Sequence, residues 1–281
     1  MALYSAVLRM GEKLARAQGM ETSGIKLLLM HFSRKTPTQL YLDIDQEMPE
    51  VDQVAFMDAV DLYVNHHRPV QYIMGYVSFY GYDFIVNEAV LIPRFETEEL
   101  VANVLIQYDE VFSGEPVKLV DIGTGSGCLA ITFAKEEPQI EVTATDISEA
   151  ALIVAKQNAN RLGAHISLLQ GDMLTPIQNM KFDIIVSNPP YIPDTEMVDD
   201  IIKDNEPNIA LFGGYDGLKF YRIIIEEAQK VLNPRFIMAF EHGFDKAEEI
   251  RALALKYYPN ADIFTIKDMQ NKDRMTFIVN K

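Results

Sequence analysis

The sequence predicts an α/β protein in which a mostly parallel sheet, covered by helices on both faces, follows a small helical bundle. From about residue 117 onward, short apolar runs rich in β-branched residues alternate with segments of helical periodicity. This order is typical of parallel strands joined by crossover helices. Before residue 75, apolar residues recur at helical spacing instead, and Pro37, Pro49 and Pro69 separate the segments.

The amino-terminal helices are predicted from three sets of apolar residues with a spacing of three to four. The sets are Leu3, Val7, Leu8, Met10, Leu14 and Ala15; Ile25, Leu28, Leu29 and Phe32; and Val54, Phe56, Ala59, Val60 and Tyr63. Aromatic and β-branched residues on both sides of Gly81 then predict a hairpin over 75–87.

The remainder of the chain carries the predicted sheet. Strands are expected at 117–121, 140–145, 166–169, 182–187, 235–240 and 261–265, with a last one near 275–279. We therefore divide the chain into a helical domain over 1–74, a hairpin linker over 75–90 and a sheet domain over 91–281.

The composition is ordinary for a globular protein, since 48% of the 281 residues are hydrophobic and 23% are charged. No run approaches the roughly 20 apolar residues that cross a bilayer. The first residues interleave charged and apolar positions, unlike a signal peptide. We therefore expect a cytoplasmic protein without a membrane partner.

Charge and side-chain types narrow the chemistry further. The formal net charge of −16 opposes a surface that neutralises many phosphates, so it disfavours a nucleic-acid partner without excluding one. Cys128 is the only cysteine and is expected to fill space rather than act as a nucleophile. The five histidines lack the spacing of metal ligands, and no metal is expected.

A glycine-rich turn, D-I-G-T-G-S-G, follows the first predicted strand of the sheet and contains Gly123, Gly125 and Gly127. Glycine lets the backbone turn sharply and approach a ligand closely. In open α/β sheets, ligands bind beyond the carboxyl ends of the strands. The spacing differs from the dinucleotide motif G-x-G-x-x-G and from the phosphate-binding motif G-x-x-x-x-G-K-[ST].

Two acids follow the next two strands. Asp146 lies 19 residues after Gly127, where an acid commonly binds ribose hydroxyls, and Asp172 follows Gly171. Each feature has a structural alternative: close packing for the glycines, a helix N-cap for Asp146 and a turn cap for Asp172. Because they occur in order on successive strand ends, together they predict a nucleoside pocket.

The fourth strand, D-I-I-V-S, ends on Asn188-Pro189-Pro190-Tyr191, which we call the amide rim. A residue before proline is held extended, and a proline offers a carbonyl without an N–H group. The Asn188 side-chain oxygen and the Pro189 carbonyl are therefore predicted to accept two hydrogen bonds from a planar –NH2 group. The Tyr191 ring would lie against the same group.

The glycine turn, the acid and the N-P-P-Y tetrapeptide together resemble the S-adenosylmethionine-dependent methyltransferases that modify amide or exocyclic nitrogens. That resemblance implies a Rossmann-like sheet with S-adenosyl-L-methionine as the cofactor. N-P-P-Y occurs both in adenine-N6 methyltransferases of nucleic acids and in protein-glutamine methyltransferases, so the tetrapeptide leaves both open.

Four other stretches resemble the release factor glutamine methyltransferase family, also called HemK-like, over nearly the whole chain. They are R-P-V-Q-Y-I-M-G (68–75), F-Y-G-Y-D-F (79–84), L-I-P-R-F-E-T-E-E-L-V (91–101) and E-P-N-I-A-L-F-G-G-Y-D-G-L-K-F-Y-R (206–222). The resemblance implies transfer of a methyl group to N5 of the glutamine in the Gly-Gly-Gln motif of class I peptide chain release factors. The alternative is an adenine-N6 methyltransferase, which would extrude a base into the same pocket and would need a basic groove for its nucleic acid.

The resemblance also implies roles for individual residues. The cofactor-binding residues would be Gly123, Thr124, Gly125, Ser126, Gly127, Asp146, Asp172, Met173 and Asn188. The substrate amide would lie on Asn188, Pro189, Pro190 and Tyr191, of which Asn188, Pro189 and Tyr191 would be catalytic. Residues 1–74 would recognise the release factor, and 91–281 would form the catalytic domain.

Three points within the resemblance concern the edges of the site. Glu96 and Thr97 are expected in a stretch that closes over the cofactor, although T-E-E-L also fits a helix start. The family usually has proline at Phe95 and isoleucine at His242.

Two other classes of protein, a nucleotide-binding oxidoreductase and a non-catalytic scaffold, are disfavoured, because neither gives the amide rim a purpose.

Overall fold

The computed structural model describes residues 2–197 and 200–281, which form two compact units. One unit comprises the described residues of Met1–Tyr76 and Asp199–Asn205, and the other those of Val77–Val198 and Glu206–Lys281. The helices of the chain are α1 (Tyr4–Ala17), α2 (Thr22–Ser33), α3 (Pro37–Leu42), α4 (Glu50–Val64), α5 (Val70–Met74), α6 (Phe95–Phe112), α7 (Cys128–Glu136), α8 (Glu149–Leu162), α9 (Asp200–Asn205), α10 (Lys219–Glu227) and α11 (Ala247–Tyr257).

The helical unit has its own apolar core, built from α1, α2, α4 and α5. On α1 the buried positions are Tyr4, Val7, Gly11 and Ala15, which recur every three to four residues and form one face. Gly11 allows α1 to lie close to α2, because a Cβ there would come within 2.8 Å of Ile25.

The described residues contain nine strands: β1 (Tyr76–Phe79), β2 (Tyr82–Ile85), β3 (Val117–Ile122), β4 (Ile140–Asp146), β5 (Ile166–Gln170), β6 (Phe182–Ser187), β7 (Leu232–Glu241), β8 (Asp262–Lys267) and β9 (Asp273–Asn280). Strands β1 and β2 form the predicted hairpin. Tyr80 and Gly81 connect them with φ of 50° and 79°, as a two-residue turn of type I′ requires.

The other seven strands form one sheet in the order β5-β4-β3-β6-β7-β9-β8. All pairs are parallel except those of β9, which runs antiparallel to β7 and β8. The chain moves outward from β3 to β5, then returns to place β6 on the other side of β3. This reversal opens a crevice beyond the carboxyl ends of β3 and β6, where ligands of such sheets bind.

Both faces of the sheet are buried. Ile184 and Val186 of β6 pack into a cluster with α6 and α7, while Ile185 between them packs into a second cluster with α10 and α11. This explains why the central strands lack polar alternation. The predicted α/β fold with an amino-terminal helical bundle is confirmed. Among the described residues, no helix has both the length and the apolar character needed to cross a membrane.

Candidate active site

The turn after β3 puts all three of its glycines in the left-handed region, with φ of 77°, 55° and 82° for Gly123, Gly125 and Gly127. A Cβ at Gly123 or Gly125 would meet no atom within 4 Å, and both residues line a cavity. A Cβ at Gly127 would instead lie 2.9 Å from Ile131 and 3.2 Å from Ala155. The first two glycines therefore leave room for a ligand, whereas the third lets α7 pack against α8.

The carboxylate of Asp146 lies at the end of β4, beside this turn. Its Oδ2 accepts the N–H of Gly125 at 2.8 Å, and its Oδ1 accepts the N–H of Ser148 at 2.9 Å. Each oxygen retains a lone pair for a further donor such as a ribose hydroxyl. Asp146 is not the N-cap of α8, since Ser148 caps that helix by accepting the N–H of Ala151.

The third strand end, after β5, closes one side of the cavity. Gly171 donates its N–H to the backbone carbonyl of Asp146 at 3.0 Å, so the ends of β4 and β5 are held together. Asp172 and Met173 line the cavity, and Met173 has a φ of 46°. Thr145 donates its hydroxyl to the Met173 carbonyl at 3.4 Å, which anchors that turn.

The cavity brings together most of the residues predicted from sequence. Those that line it are Gly123, Thr124, Gly125, Ser126, Asp146, Asp172, Met173, Asn188 and Pro190. Gly127, Pro189 and Tyr191 are not among the lining residues; Pro189 is buried, and Tyr191 is half-buried against the cluster of α10 and α11. Burial raises the pKa of the Tyr191 hydroxyl to about 12.

Other lining residues were not found from sequence. They are Ala89, Val90, Leu91, Pro93, Cys128, Leu129, Thr145, Ile147, Ser148, Ala151, Gly171, Pro207, Ile209, Ala210, Lys219 and Phe220. Burial raises the pKa of the Cys128 thiol to about 12, so it stays neutral. Among the residues that the structure describes, no group of three or more His, Cys, Asp or Glu side chains is placed to hold a metal ion.

A buried carboxylate joins two walls of the cavity. Glu206, which is 4% exposed, accepts the backbone N–H of Ile92 at 3.0 Å and pairs with the Arg94 guanidinium. Residues 89–93 and 207–210 are thereby held facing each other. Phe95 follows as the first residue of α6 and is 58% exposed, so the departure from the usual proline lies outside the cavity lining.

Helix α6 also settles the placement of Glu96 and Thr97. The helix begins at Phe95 with Arg94 as its N-cap, so Thr97 is not a capping residue. Thr97 lines the cavity and is 2% exposed, whereas Glu96 is not among the lining residues. Thr97 donates its hydroxyl to Glu241 Oε2 at 2.6 Å and accepts from Asn188 Nδ2 at 3.2 Å.

Glu241 is a site residue that sequence reasoning missed. It ends β7, the strand beside β6, and pairing of Ser187 with Phe240 puts Asn188 and Glu241 on adjacent strand ends. Burial, opposed by the Thr97 hydrogen bond and the Arg274 charge, raises the pKa of Glu241 to about 7. An acid as the last residue of an apolar strand is the signal that would have identified it. The neighbouring His242 is buried and contacts Thr276 at 2.9 Å, so it is structural.

A second buried acid lies beneath the glycine turn. Asp121 of β3 is fully buried, and its Oδ2 accepts the Thr124 hydroxyl at 2.6 Å. Its Oδ1 has no hydrogen-bond partner among the described residues. Burial, opposed by the Thr124 hydrogen bond, raises the pKa of Asp121 to about 7. The folded protein therefore binds this proton more tightly than the unfolded chain does.

We expect Asp121→Asn to change the pH dependence of stability. Because the pKa is raised in the folded state, the stabilisation by protonated Asp121 is complete below about pH 4 and is lost as the pH rises through about 7. Relative to wild type, the variant should gain about 2–3 kcal/mol of unfolding free energy between pH 5 and pH 8. Urea denaturation at both pH values measures this, and a difference that is the same at both would contradict it.

Solved structures share the fold of this chain. A methyltransferase from Pyrococcus furiosus aligns with a TM-score of 0.53 at 22% identity, over 72% of this chain and 90% of its own. The N-terminal domain of human METTL16, solved in complex with SAH, aligns with a TM-score of 0.52 at 15% identity, over 92% and 94%. Residues 101–207 match the family described as methyltransferase small domain. The fold and the cavity define an S-adenosylmethionine-dependent methyltransferase.

Sequence relatives identify the family. The release factor glutamine methyltransferase of Bacillus cereus is 38% identical over 281 residues, 99% of each chain. That of Bacillus subtilis is 41% identical over 91% of this chain and 90% of its own. Residues 6–75 match the PrmC N-terminal domain. The chain belongs to the release factor glutamine methyltransferase family, as its sequence motifs predicted.

The residues present fit the methyltransferase cofactor. The space beside Gly123 and Gly125 is open, and a side chain at either position would occupy it. The Asp146 carboxylate, which accepts the N–H of Gly125, lines the same cavity at the end of the adjacent strand. Residues 89–93 and 207–210 supply the apolar wall that an adenine ring requires.

Proposed function

We propose that this enzyme methylates N5 of the glutamine side chain in the Gly-Gly-Gln motif of class I peptide chain release factors, and so modulates translation termination in the cytoplasm. The observation that carries the proposal is the orientation of Asn188. Its Nδ2 donates to Thr97, which leaves Oδ1 as the acceptor for a substrate amide in the cavity that Asn188 lines. The names of the curated relatives support the choice of substrate.

The chemistry follows from the weakness of an amide as a nucleophile, since its nitrogen lone pair is delocalised. When bound, S-adenosylmethionine supplies a methyl group on a positively charged sulfur. We assign to Asn188 Oδ1 and the Pro189 carbonyl the two N–H groups of the substrate amide. These acceptors direct the lone pair toward the methyl carbon and stabilise the positive charge that grows on nitrogen. Pro190 and Tyr191 complete the amide rim.

The remaining assignments concern cofactor and substrate binding. Gly123, Thr124, Gly125, Ser126 and Gly127 would hold the methionine portion, and Asp146 the ribose. Asp172 and Met173 would border the adenine. We assign recognition of the release factor to residues 1–74, joined through the hairpin at 75–90 to the catalytic domain at 91–281.

The test is to incubate the purified chain with methyl-labelled S-adenosylmethionine and either unmodified release factor or duplex DNA. We expect label in the release factor only, at the Gly-Gly-Gln glutamine by peptide mass analysis. A release factor whose glutamine is replaced by alanine is the control substrate. Label in DNA alone would instead support the adenine-N6 alternative, which the relatives and the net charge of −16 disfavour.

A further inference from the structure

Asn188 requires one particular orientation of its side-chain amide. In that orientation Oδ1 accepts from the substrate, and in the flipped orientation Nδ2 would oppose the substrate N–H groups. The two orientations have nearly the same shape, so packing alone distinguishes them poorly. The surroundings of Nδ2 must therefore determine which atom faces the cavity.

The contacts of Thr97 provide that distinction. A hydroxyl has one hydrogen to donate, and an ionised carboxylate only accepts. Thr97 Oγ1 lies 2.6 Å from Glu241 Oε2 and must donate its hydrogen to that oxygen. Thr97 Oγ1 can then only accept in its 3.2 Å hydrogen bond with Asn188, so the donor must be Asn188 Nδ2.

Because they are buried, the hydrogen bonds of Thr97 and Glu241 determine the orientation of the Asn188 amide. Thr97 and Glu241 are each 2% exposed, so water does not offer them alternative partners. The Asn188 side chain also helps to lower the pKa of Glu241, although burial outweighs this effect. The Tyr221 hydroxyl donates to the Glu241 backbone carbonyl at 2.7 Å and fixes the position of the acid.

We propose that Thr97 and Glu241 are positioning residues that fix the polarity of the Asn188 amide, so that Oδ1 and not Nδ2 faces the substrate. The inference rests on the proposed glutamine methylation and adds to it two residues outside the amide rim. Neither residue exchanges a proton with the substrate; each acts through Asn188.

The polarity depends on the charge of Glu241, and this gives a pH signature. A protonated Glu241 has a hydrogen of its own, so Thr97 is no longer obliged to accept from Asn188. The pKa of Glu241 is raised to about 7, mainly by burial. The titratable and charged groups around it are Arg274 on β9, Glu96 on α6, Tyr221 on α10, Tyr191 in the amide rim, and Cys128 on α7.

The experiment compares kcat for release factor methylation in wild type, Thr97→Val, Thr97→Ser and Glu241→Gln. At pH 8 we expect Thr97→Val and Glu241→Gln each to lose about tenfold in kcat, the effect of one hydrogen bond. Thr97→Ser keeps the hydroxyl and should stay within about twofold of wild type. A double variant that combines Thr97→Val with Glu241→Gln should lose no more than either single variant, because both changes break the same chain of contacts.

The ratio of wild-type to Glu241→Gln activity supplies the second measurement. It should fall from about ten at pH 8 toward one at pH 6, because protonated Glu241 resembles glutamine. Using the ratio cancels titrations common to both proteins, including that of Asp121. The affinity for S-adenosylmethionine, measured by calorimetry, should be unchanged within about threefold in every variant.

Thr132→Val is the matched control. Thr132 is also a buried threonine of the same unit, but its hydroxyl has no hydrogen-bond partner among the described residues. This variant should keep wild-type kcat at both pH values, which would show that removing a buried hydroxyl does not by itself impair turnover.

Two outcomes would overturn the inference. If Thr97→Val kept full activity while Glu241→Gln lost it, Glu241 would act directly on the substrate rather than through Asn188. If neither variant differed from an active wild type, the amide would be oriented by other means. A wild type that leaves the release factor unlabelled would instead count against the proposed function itself.

Discussion

Replacing Asn188 with alanine is expected to lower kcat by two to three orders of magnitude, roughly the loss seen when an enzyme loses one group that stabilises transition-state charge. Alanine has no acceptor for the substrate N–H groups. Only the Pro189 carbonyl then remains to hold the substrate amide, so the lone pair of its nitrogen is poorly directed and the charge developing there loses one of its two acceptors. The variant thus tests the central residue of the proposed mechanism.

The fold should survive this change. Asn188 follows β6 and is half-buried, and its backbone stays extended because Pro189 follows it. Its removal opens space toward the cavity and leaves Thr97 free to keep its bond to Glu241. We expect the affinity for S-adenosylmethionine to fall by no more than about tenfold, since most of the proposed cofactor-binding residues lie on the glycine turn and at Asp146.

Single-turnover kinetics with the labelled cofactor separate the chemical step from binding, and calorimetry measures the cofactor affinity. Asn160→Ala on the exposed face of α8 is the matched control and should behave as wild type. If Asn188→Ala kept more than about a third of wild-type kcat, Asn188 would not be the group that orients the substrate amide.

The strands were predictable because their signal is local. Each of the seven sheet strands is an apolar run between turn residues, and each was found near its predicted position. The glycine turn and Asp146 were predictable for a related reason: successive strands of such a fold end at the same edge, so their order along the chain gives their proximity.

The contacts of Glu241 were not predictable in this way. Its proximity to Asn188 depends on β7 lying beside β6, although more than forty residues separate the two strands in the sequence. Thr97 lies on α6, which precedes the first strand of the sheet, and the sequence around it could be explained as the start of a helix. Residues whose partners are remote in the sequence form no motif of fixed spacing, so the sequence alone does not reveal them.

Helical periodicity also overstates burial. Met10 and Leu14 belong to the apolar set that predicts α1, yet they are 53% and 42% exposed. The buried face of that helix runs through Gly11 instead, because close contact with α2 requires a small residue there. A periodic pattern predicts the helix reliably, but the packing partner determines which side of it is inside.

The glycines of 206–222 have a purpose that only the structure reveals, and Gly217→Ala tests it. Gly217 has a φ of 76°, and a Cβ there would lie 2.2 Å from the Tyr191 carbonyl oxygen. That contact is with backbone, so it cannot be relieved by a rotamer change. The amide rim would have to move.

The neighbouring contacts show how closely the two segments are joined. Gly213 donates its N–H to the Ile192 carbonyl at 2.8 Å, and Ile192 donates to Leu211 at 3.0 Å. A Cβ at Gly213 would lie 2.4 Å from the Pro190 carbonyl oxygen. Residues 211–217 therefore form the support against which the chain after β6 is laid, and glycine allows the approach.

We expect Gly217→Ala to lower the free energy of unfolding by about 2–4 kcal/mol, through backbone strain and overlap together. It should also lower kcat at least tenfold, since displacements of about 1 Å in positioning groups have effects of this size or larger. Gly114→Ala is the matched control. Gly114 has nearly the same φ, 78°, but a Cβ there meets no atom within 4 Å. It should lose about 1 kcal/mol of stability and retain full turnover. Equal kcat in the two variants would show that the amide rim does not depend on this support.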